Sequence, residues 1–309
     1  MKESYVSVNG FEVKLTNLDK LLWPDGLTKA HLVKYYAEIA PYILPHLYNR
    51  PIVMKRYPDG ISGESFYQKE FPDYAPGWIK TQLVKHGEKT VHYIICNNRA
   101  TLIWLANQAC IEMHAWLSRT ENLEAPDIAV MDLDPSAGAS FSDTLKVALL
   151  VGEVFEKFGL KCFPKTSGAR GLHLFAPVDP VYSWLQVTAA VRYVAEKVGK
   201  MIPDIATTER KISLRNKRVY LDYLQNGRGK TMAFPYSLRP AAGAPVSTPL
   251  NWREIEKGDV YPPDFNIKTI FARLSQYGDL YAGVLNLKQS MDELVNAAEK
   301  EYFASRKEK

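Results

Sequence analysis

The sequence predicts an α/β (α+β) fold: a central mixed or antiparallel sheet with flanking helices, preceded by an N-terminal α/β lobe. Three observations carry that reading. Between residues 126 and 225 the apolar periodicity runs strand, helix, hairpin, helix, strand, an order that suits one compact sheet covered by helices. The 309 residues are 46% hydrophobic and 24% charged, a globular composition with apolar material for a sizeable core. No run approaches the roughly 18–20 apolar residues a membrane span needs, and the opening MKESYVSVNG lacks the apolar stretch of a secretion signal, so no membrane partner and a cytoplasmic location are expected. Cys96, Cys110 and Cys162 are widely separated and odd in number, which argues against a disulfide framework or a zinc site. The chain is read as a single domain, 1–309, with approximate lobes 1–115 and 116–309.

Taken in order, residues 5–15 alternate well enough for a strand or hairpin. Thr28 can cap a helix carrying Leu32, Tyr35, Tyr36 and Ile39 at helical spacing, with Pro41 and Pro45 ending it. Residues 52–57 read as a strand before the turn Pro58-Asp59-Gly60, and residues 99–108 as a helix. From 110 to 116 a period of two sets Glu112 and His114 opposite Ile111 and Met113. Residues 128–133 form a strong strand ending at Asp134-Pro135. Ser140 then opens a helix with Leu145, Ala148, Leu149, Gly152, Phe155 and Phe158 on one side. Residues 163–166 and 172–177 read as strands joined through the turn 167–171. Ser183 caps a helix bearing Trp184, Val187, Val191, Val194 and Val198, and residues 219–224 form a strand closed by Asn226-Gly227. The stretch 240–263 is rich in Pro and Gly and reads as loop. A last helix is expected from Ser290, with Glu293 completing a capping box.

Chemistry concentrates at three places. In Val130-Met131-Asp132-Leu133-Asp134-Pro135, residues two apart on a strand share a face, so Asp132 and Asp134 project together. Carboxylates that close repel unless a cation lies between them, and Mg²⁺ or Mn²⁺ favours such oxygen ligands. Asp222 lies in another largely apolar strand. Three carboxylates on adjoining strands suit two ions about 3.5–4 Å apart, the arrangement for in-line phosphoryl displacement. The same residues also fit a loop-edge acidic pair, with Asp222 bridged to Arg215 or Arg218. The turn Ser167-Gly168-Ala169-Arg170-Gly171 between strands can present amides to phosphate, with Lys165, Arg170 and His173 around it; a tight hairpin with a surface histidine is the alternative. Between Thr207 and Arg239 stand eight basic side chains against two acidic ones, while the whole chain carries only +5. That patch suits a phosphate-rich partner or a solvated face.

Read together, Met131-Asp132-Leu133-Asp134-Pro135, Thr166-Ser167-Gly168, Gly171-Leu172-His173-Leu174-Phe175 and Tyr220-Leu221-Asp222-Tyr223-Leu224-Gln225-Asn226 resemble the polymerase domain of bacterial DNA ligase D. That domain belongs to the archaeo-eukaryotic primase superfamily and works in non-homologous end joining. The likeness runs from Leu15 to about Trp252 and includes Arg50-Pro51, Lys55-Arg56, Ser65-Phe66-Tyr67-Gln68-Lys69 and Glu112-Met113-His114.

The resemblance implies a primase-polymerase fold and template-dependent nucleotidyl transfer to 3′-hydroxyl ends, with two metal ions, Mn²⁺ or Mg²⁺, on Asp132, Asp134 and Asp222. It implies nucleotide contacts from Lys55, His114, Ser167, Arg170, His173, Arg215, Gln225 and Arg239. Asn17, Lys20 and Lys29 would bind a downstream 5′-phosphate, with the first turn of the helix after Thr28 adding backbone amides. Phe66 and Tyr67 would touch template bases, where several relatives carry two phenylalanines; Phe66 also fits a core position. Expected partners are nucleoside triphosphates, DNA ends and gapped or primer-template DNA with a 5′-phosphate, together with Ku and a separate ligase. Ribonucleotides are the expected preference, Mn²⁺ a strong activator, and a nucleoid-associated site in the cytoplasm the expected location. The Lys-x-Asp-Gly motif of an ATP-dependent ligase is not found, so a stand-alone polymerase or an excised domain is expected. A metal-dependent nuclease and an inert DNA-end-binding module are the rival classes.

Overall fold

A computed structural model describes residues 3–307. Two compact units emerge. The first takes the chain up to Glu121 with Thr231–Thr248 and Pro263–Gly278; the second holds Asn122–Lys230, Pro249–Pro262 and the chain from Asp279. After leaving the first unit at Glu121, near the lobe boundary expected at 115, the chain therefore re-enters it twice.

The first unit opens with a hairpin, β1 (Glu3–Val8) and β2 (Phe11–Thr16). Helix α1 (Lys29–Leu47) follows and buries Leu32, Tyr35, Tyr36 and Ile39 as their spacing predicts. It does not stop at the prolines. Pro41 and Pro45 both lie on its exposed side, where water can take the carbonyls that each missing N–H leaves unbonded. Ile43, His46 and Leu47 are buried on the other side and carry the helix on. Next come β3 (Pro51–Arg56), β4 (Phe66–Gln68), β5 (Thr81–His86), β6 (Lys89–Ile95), α2 (Arg99–Asn107) and β7 (Cys110–Trp116). Strands run β7-β3-β6-β5, with β4 added to β3, and all seven residues of β7 are buried. Both faces of that strand are therefore covered, so the two-residue alternation seen in the sequence separates environments rather than core from solvent.

The second unit contains β8 (Ile128–Pro135), α3 (Phe141–Lys157), β9 (Phe163–Thr166), β10 (Leu172–Pro177), α4 (Trp184–Met201), β11 (Ala206–Thr207) and β12 (Val219–Asp222). Its sheet has the order β11-β12-β8-β10-β9 and is mixed: β11 and β12 run parallel, the other neighbours antiparallel. Both caps form. Ser140 Oγ accepts from Asp143 N at 3.0 Å, and Ser183 exchanges hydrogen bonds with Gln186. The buried stripe of α3 is rotated from the expected one. Leu145, Ala148 and Phe155 are buried, but Val147, Val151 and Val154 replace Leu149, Gly152 and Phe158 beside them. Each buried valine removed from water is worth about 1.5–3 kcal/mol, enough to set the helix rotation. Strand β12 ends at Asp222, short of 224, because a single 3₁₀ turn over Leu224–Asn226 bends the chain away.

The chain then returns to the first unit as β13 (Thr231–Ala233), which pairs with β7 and completes a six-stranded sheet. Within the stretch expected to be loop, α5 (Trp252–Lys257) forms in the second unit behind an Asn251–Glu254 capping box. Its Trp252 ring packs so close to Gly152 that a Cβ there would stand 2.7 Å from it. Then follow α6 (Ile270–Tyr277), α7 (Ala282–Asn286) and α8 (Asp292–Lys307). The last helix begins two residues after Ser290, whose hydroxyl accepts from Asp292 N at 3.1 Å. No helix among the described residues is long and apolar enough to cross a membrane.

Candidate active site

Register gathers the acidic residues. Asp222 on β12 stands opposite Asp132 on β8, Asp132 opposite His173 on β10, and His173 opposite Lys165 on β9. Directly opposed residues share a sheet face, so Asp222, Asp132, His173 and Lys165 form one row across four strands. Asp134, two residues beyond Asp132, joins the same face. One carboxylate oxygen from each of Asp132, Asp134 and Asp222 lies within 4.8 Å of the others. Asp132 is buried, Asp222 half-buried and Asp134 exposed, so the cluster is rooted in the sheet and open on one side. Three hard oxygen donors at this spacing fit divalent Mg²⁺ or Mn²⁺.

Local structure holds Asp222 beside Asp132. Asn226, fully buried, accepts from Val130 N and donates to the Val130 and Tyr223 carbonyls, each at 2.8 Å. It thereby ties the turn after Asp222 to β8. Asp222 accepts from Leu224 N at 3.0 Å, Gln225 Nε2 at 2.8 Å and the Tyr220 hydroxyl at 3.3 Å. Burial and the Asp222 charge push the Tyr220 hydroxyl above its ordinary range, so it stays a donor. Gln225 thus supports a carboxylate, a role the sequence did not suggest. Arg215 and Arg218 do not bridge Asp222. Arg215 stacks 3.8 Å over the Tyr220 ring and donates to the Glu209 and Arg210 carbonyls, and Arg218 donates to those of Pro203, Leu214 and Arg215. The loop-edge alternative fails with them. Arg210, Arg218, Leu214 and Tyr223, with Glu209 and Thr207, line a hollow of about 480 Å³.

His173 is buried, not a surface residue. Its Nε2 lies 3.4 Å from Asp132 Oδ1, and its Nδ1 lies 2.8 Å from Nζ of the fully buried Lys165. The turn before it is organised inward. Ser167 Oγ accepts from the amides of Ala169 and Gly171 at 3.1 Å, so those two N–H groups are spent within the turn while the hydroxyl keeps its proton to donate. Gly171 has no alternative, since a Cβ would stand 2.2 Å from the Leu133 carbonyl oxygen on β8. Arg170 is exposed at the turn.

The first unit brings together a second set. Glu112 Oε2 lies 3.2 Å from both His114 Nε2 and Arg239 Nη1. The Tyr67 ring meets His114 edge-on at 5.7 Å, and Lys55 Nζ sits 4.1 Å over the Tyr67 ring. Phe66 and Tyr67 are 45% and 57% exposed on β4, which removes the core alternative for Phe66. Arg56 lies 5.4 Å over Phe66.

Asn17, Lys20 and Lys29 cluster around the start of α1. Asn17 takes the left-handed conformation (φ 53°), which asparagine tolerates, and its carbonyl accepts from Lys20 N at 3.0 Å. Lys29 is buried, with Nζ 3.3 Å from Thr16 Oγ1. Burial first, then the charges of Lys20 and Arg56, depress its pKa to about 8. The first-turn amides are committed elsewhere: those of Lys29 and Ala30 donate to the Lys20 and Leu18 carbonyls at 2.8 Å, and that of Thr28 to His31 Nδ1. An anion here would meet side chains. Lys20 also pairs with exposed Asp59 at 2.7 Å.

A family model described as the primase-polymerase domain of LigD matches residues 28–281. The multifunctional non-homologous end joining protein LigD of Mycolicibacterium smegmatis is 35% identical over 273 residues, covering 87% of this chain and 36% of that protein. The bifunctional LigD of Bacillus subtilis is 33% identical over 269 residues, covering 86% of this chain and 43% of that protein. The chain therefore spans well under half the length of these relatives. Among solved structures, the polymerase domain of Mycobacterium tuberculosis ligase D in complex with DNA is similar with a TM-score of 0.85 and 32% identity, over 89% of this chain and 98% of that one.

Proposed function

The chain belongs to the LigD primase-polymerase family, and from that premise we propose that it is a template-dependent nucleotidyltransferase that extends 3′-hydroxyl ends and fills gaps in non-homologous end joining. The observation that carries this reading is the register of β12, β8 and β10, which sets Asp222, Asp132 and His173 in one row with Asp134 beside it.

Asp132, Asp134 and Asp222 are the residues to hold two divalent ions. When bound, such ions lower the pKa of the attacking hydroxyl and offset charge on the departing pyrophosphate. The chain's own part is to bind and orient. Gln225, Tyr220 and the Leu224 amide hold Asp222 in place. In the second unit, Ser167, Arg170, His173, Arg215 and Gln225 are proposed to contact the incoming nucleotide; in the first, Lys55, His114 and Arg239. Lys29, Lys20 and Asn17 are proposed to take the 5′-phosphate of a downstream strand, supported by their clustering at the start of α1, where burial and then the charges of Lys20 and Arg56 depress Lys29. Exposed Phe66 and Tyr67 suit stacking on template bases. The preference for ribonucleotides, activation by Mn²⁺, and Ku and a separate ligase as partners complete the proposal.

A labelled primer-template incubated with ribonucleoside triphosphates and Mn²⁺ tests it. Extension by templated nucleotides is expected. Cleavage of the strand would support a nuclease instead, and neither product would leave a DNA-end-binding protein.

A further inference from the structure

The first unit contains a carboxylate to which the proposed reaction gives no task. Glu112 lies in the middle of β7, directly opposite Lys55 on β3, and is 4% exposed. Burying a carboxylate is costly unless donors surround it. Here they do: Oε1 accepts from the Tyr57 hydroxyl at 2.5 Å, while Oε2 is 3.2 Å from both His114 Nε2 and Arg239 Nη1. Burial by itself would raise its pKa. The His114 hydrogen bond, the Arg239 and His114 charges and the Tyr57 hydrogen bond outweigh that and hold it at about 2.

We infer that Glu112 is a positioning residue for nucleotide binding, its Oε2 fixing the His114 imidazole and the Arg239 guanidinium in the orientations in which they meet the nucleotide. The inference rests on the nucleotide-binding role proposed above for those two residues. Three features support it. Glu112 is too buried to reach a ligand, whereas the Arg239 side chain is 22% exposed, so any effect of Glu112 must pass through its neighbours. Among the described residues, Arg239 is anchored through Nη1 to Glu112 Oε2. Its Nε is buried without a hydrogen bond, and its planar fork of donors exceeds what one oxygen accepts. Anchoring so long a side chain before a ligand arrives removes rotamer freedom that binding would otherwise have to quench. Finally, the Glu112 charge offsets that of the Arg239 guanidinium 3.2 Å away, which steadies Arg239 in place while its remaining donors stay available to a polyphosphate.

The test compares the unmodified protein with Glu112→Gln, which keeps the shape and removes the charge. Calorimetric titration with a non-incorporable ribonucleoside triphosphate and Mg²⁺ gives Kd, primer extension gives KM and kcat, and thermal melting checks the fold. Glu112→Gln is expected to weaken binding about tenfold or more, the loss of a charge-assisted hydrogen bond, with KM rising far more than kcat falls. Added to His114→Ala plus Arg239→Ala, the same substitution should cost nothing further, because a residue that acts through others is silent once they are gone. Unchanged Kd in folded Glu112→Gln, or a full additional loss in the background lacking both partners, overturns the inference. If Glu112→Gln does not fold, Glu112→Asp takes its place: the charge stays but the shorter arm cannot hold both partners, and unchanged Kd again overturns it. Failure of the unmodified protein to bind the triphosphate overturns the parent reading and this inference together, and is thereby told apart from failure of the inference alone.

Discussion

Glu112 in the first unit and Asp132 in the second are both buried, both mid-sheet and both beside a histidine, yet their surroundings differ. Glu112 is met by a hydroxyl, an imidazole and a guanidinium, all supplied by the chain. Asp132 has His173 on one side and another carboxylate, Asp222, directly opposite on the other, with Asp134 two residues along. One acid is balanced by its own fold. The other is placed where like charges converge, an arrangement that raises the folding free energy unless cations join it. The difference separates a carboxylate proposed to organise its neighbours from carboxylates proposed to coordinate ions.

The largest effect should come from the coordinating side. Asp132→Ala and Asp222→Ala are each expected to abolish primer extension, a fall of at least about a thousandfold as for loss of a charge-stabilising group. DNA affinity should barely change, since phosphate contacts dominate it. Mn²⁺ should also raise the melting temperature of the unmodified protein and not that of Asp222→Ala. A variant that still extends primers would erase the distinction between the two acids.

The organising side should show itself in acid. A carboxylate depressed in the folded state contributes stability that is fully present above its unfolded pKa and is lost as pH falls through the folded one. For Glu112, depressed from 4.5 to about 2, that window runs from pH 4.5 down towards 2 and holds roughly 3 kcal/mol. Glu112→Gln should flatten the acid limb of a melting series there, and an unaltered limb would deny that the cluster stabilises its own carboxylate.

Nucleotide contacts come next. His173→Ala and Arg239→Ala should each raise the apparent KM for nucleotide or lower kcat by about ten- to a hundredfold, as for a charge-assisted hydrogen bond worth roughly 1.5–3 kcal/mol. Unchanged kinetics in both would return these residues to structural duty.

The smallest expected effect tests the third charged cluster, around Lys29. Gapped DNA with a 5′-phosphate should bind more tightly than its 5′-hydroxyl counterpart, and Lys20→Ala plus Lys29→Ala should erase the difference. Because Lys29 must be protonated to hold phosphate and its pKa is about 8, the preference should be near its maximum at about pH 7 and roughly halved at about pH 8. Between pH 8 and 9 it should fall roughly fivefold, by proton linkage. Anisotropy titrations on both DNAs at one salt concentration measure it, with the 5′-hydroxyl form cancelling other titrations. A preference constant through pH 9 would remove Lys29 from the contact.

Much of this was legible in the residues. The pairing of Asp132 with Asp134 on one strand face, the caps at Ser140 and Ser183, the helical stripe of α4 and the strands of the Ser167–Gly171 hairpin all follow from spacing of a few residues. Such features depend on backbone geometry that a short segment carries with it. The Asn251–Glu254 box that starts α5 was equally local, and was obscured only by the prolines around it.

Other features had no local signature. Pro41 and Pro45 read as a stop, but the burial of Ile43 and Leu47 decides that the helix continues. First-turn amides of α1 read as an anion site, until the carbonyls of Leu18 and Lys20 fold back and take them. Asn226 read as a turn residue, yet its bonds to Val130 tie the turn after Asp222 to the strand that carries Asp132. By itself, then, the sequence determined which side chains are candidates for the chemistry and most of the secondary elements that present them. Only the tertiary structure decided which strands lie side by side, and so whether Asp222 faces Asp132 and whether Glu112 finds Arg239. The physical reason is distance along the chain. Periodicity and capping act within a turn or two, whereas strand register and the balance of a buried charge depend on partners about a hundred residues away.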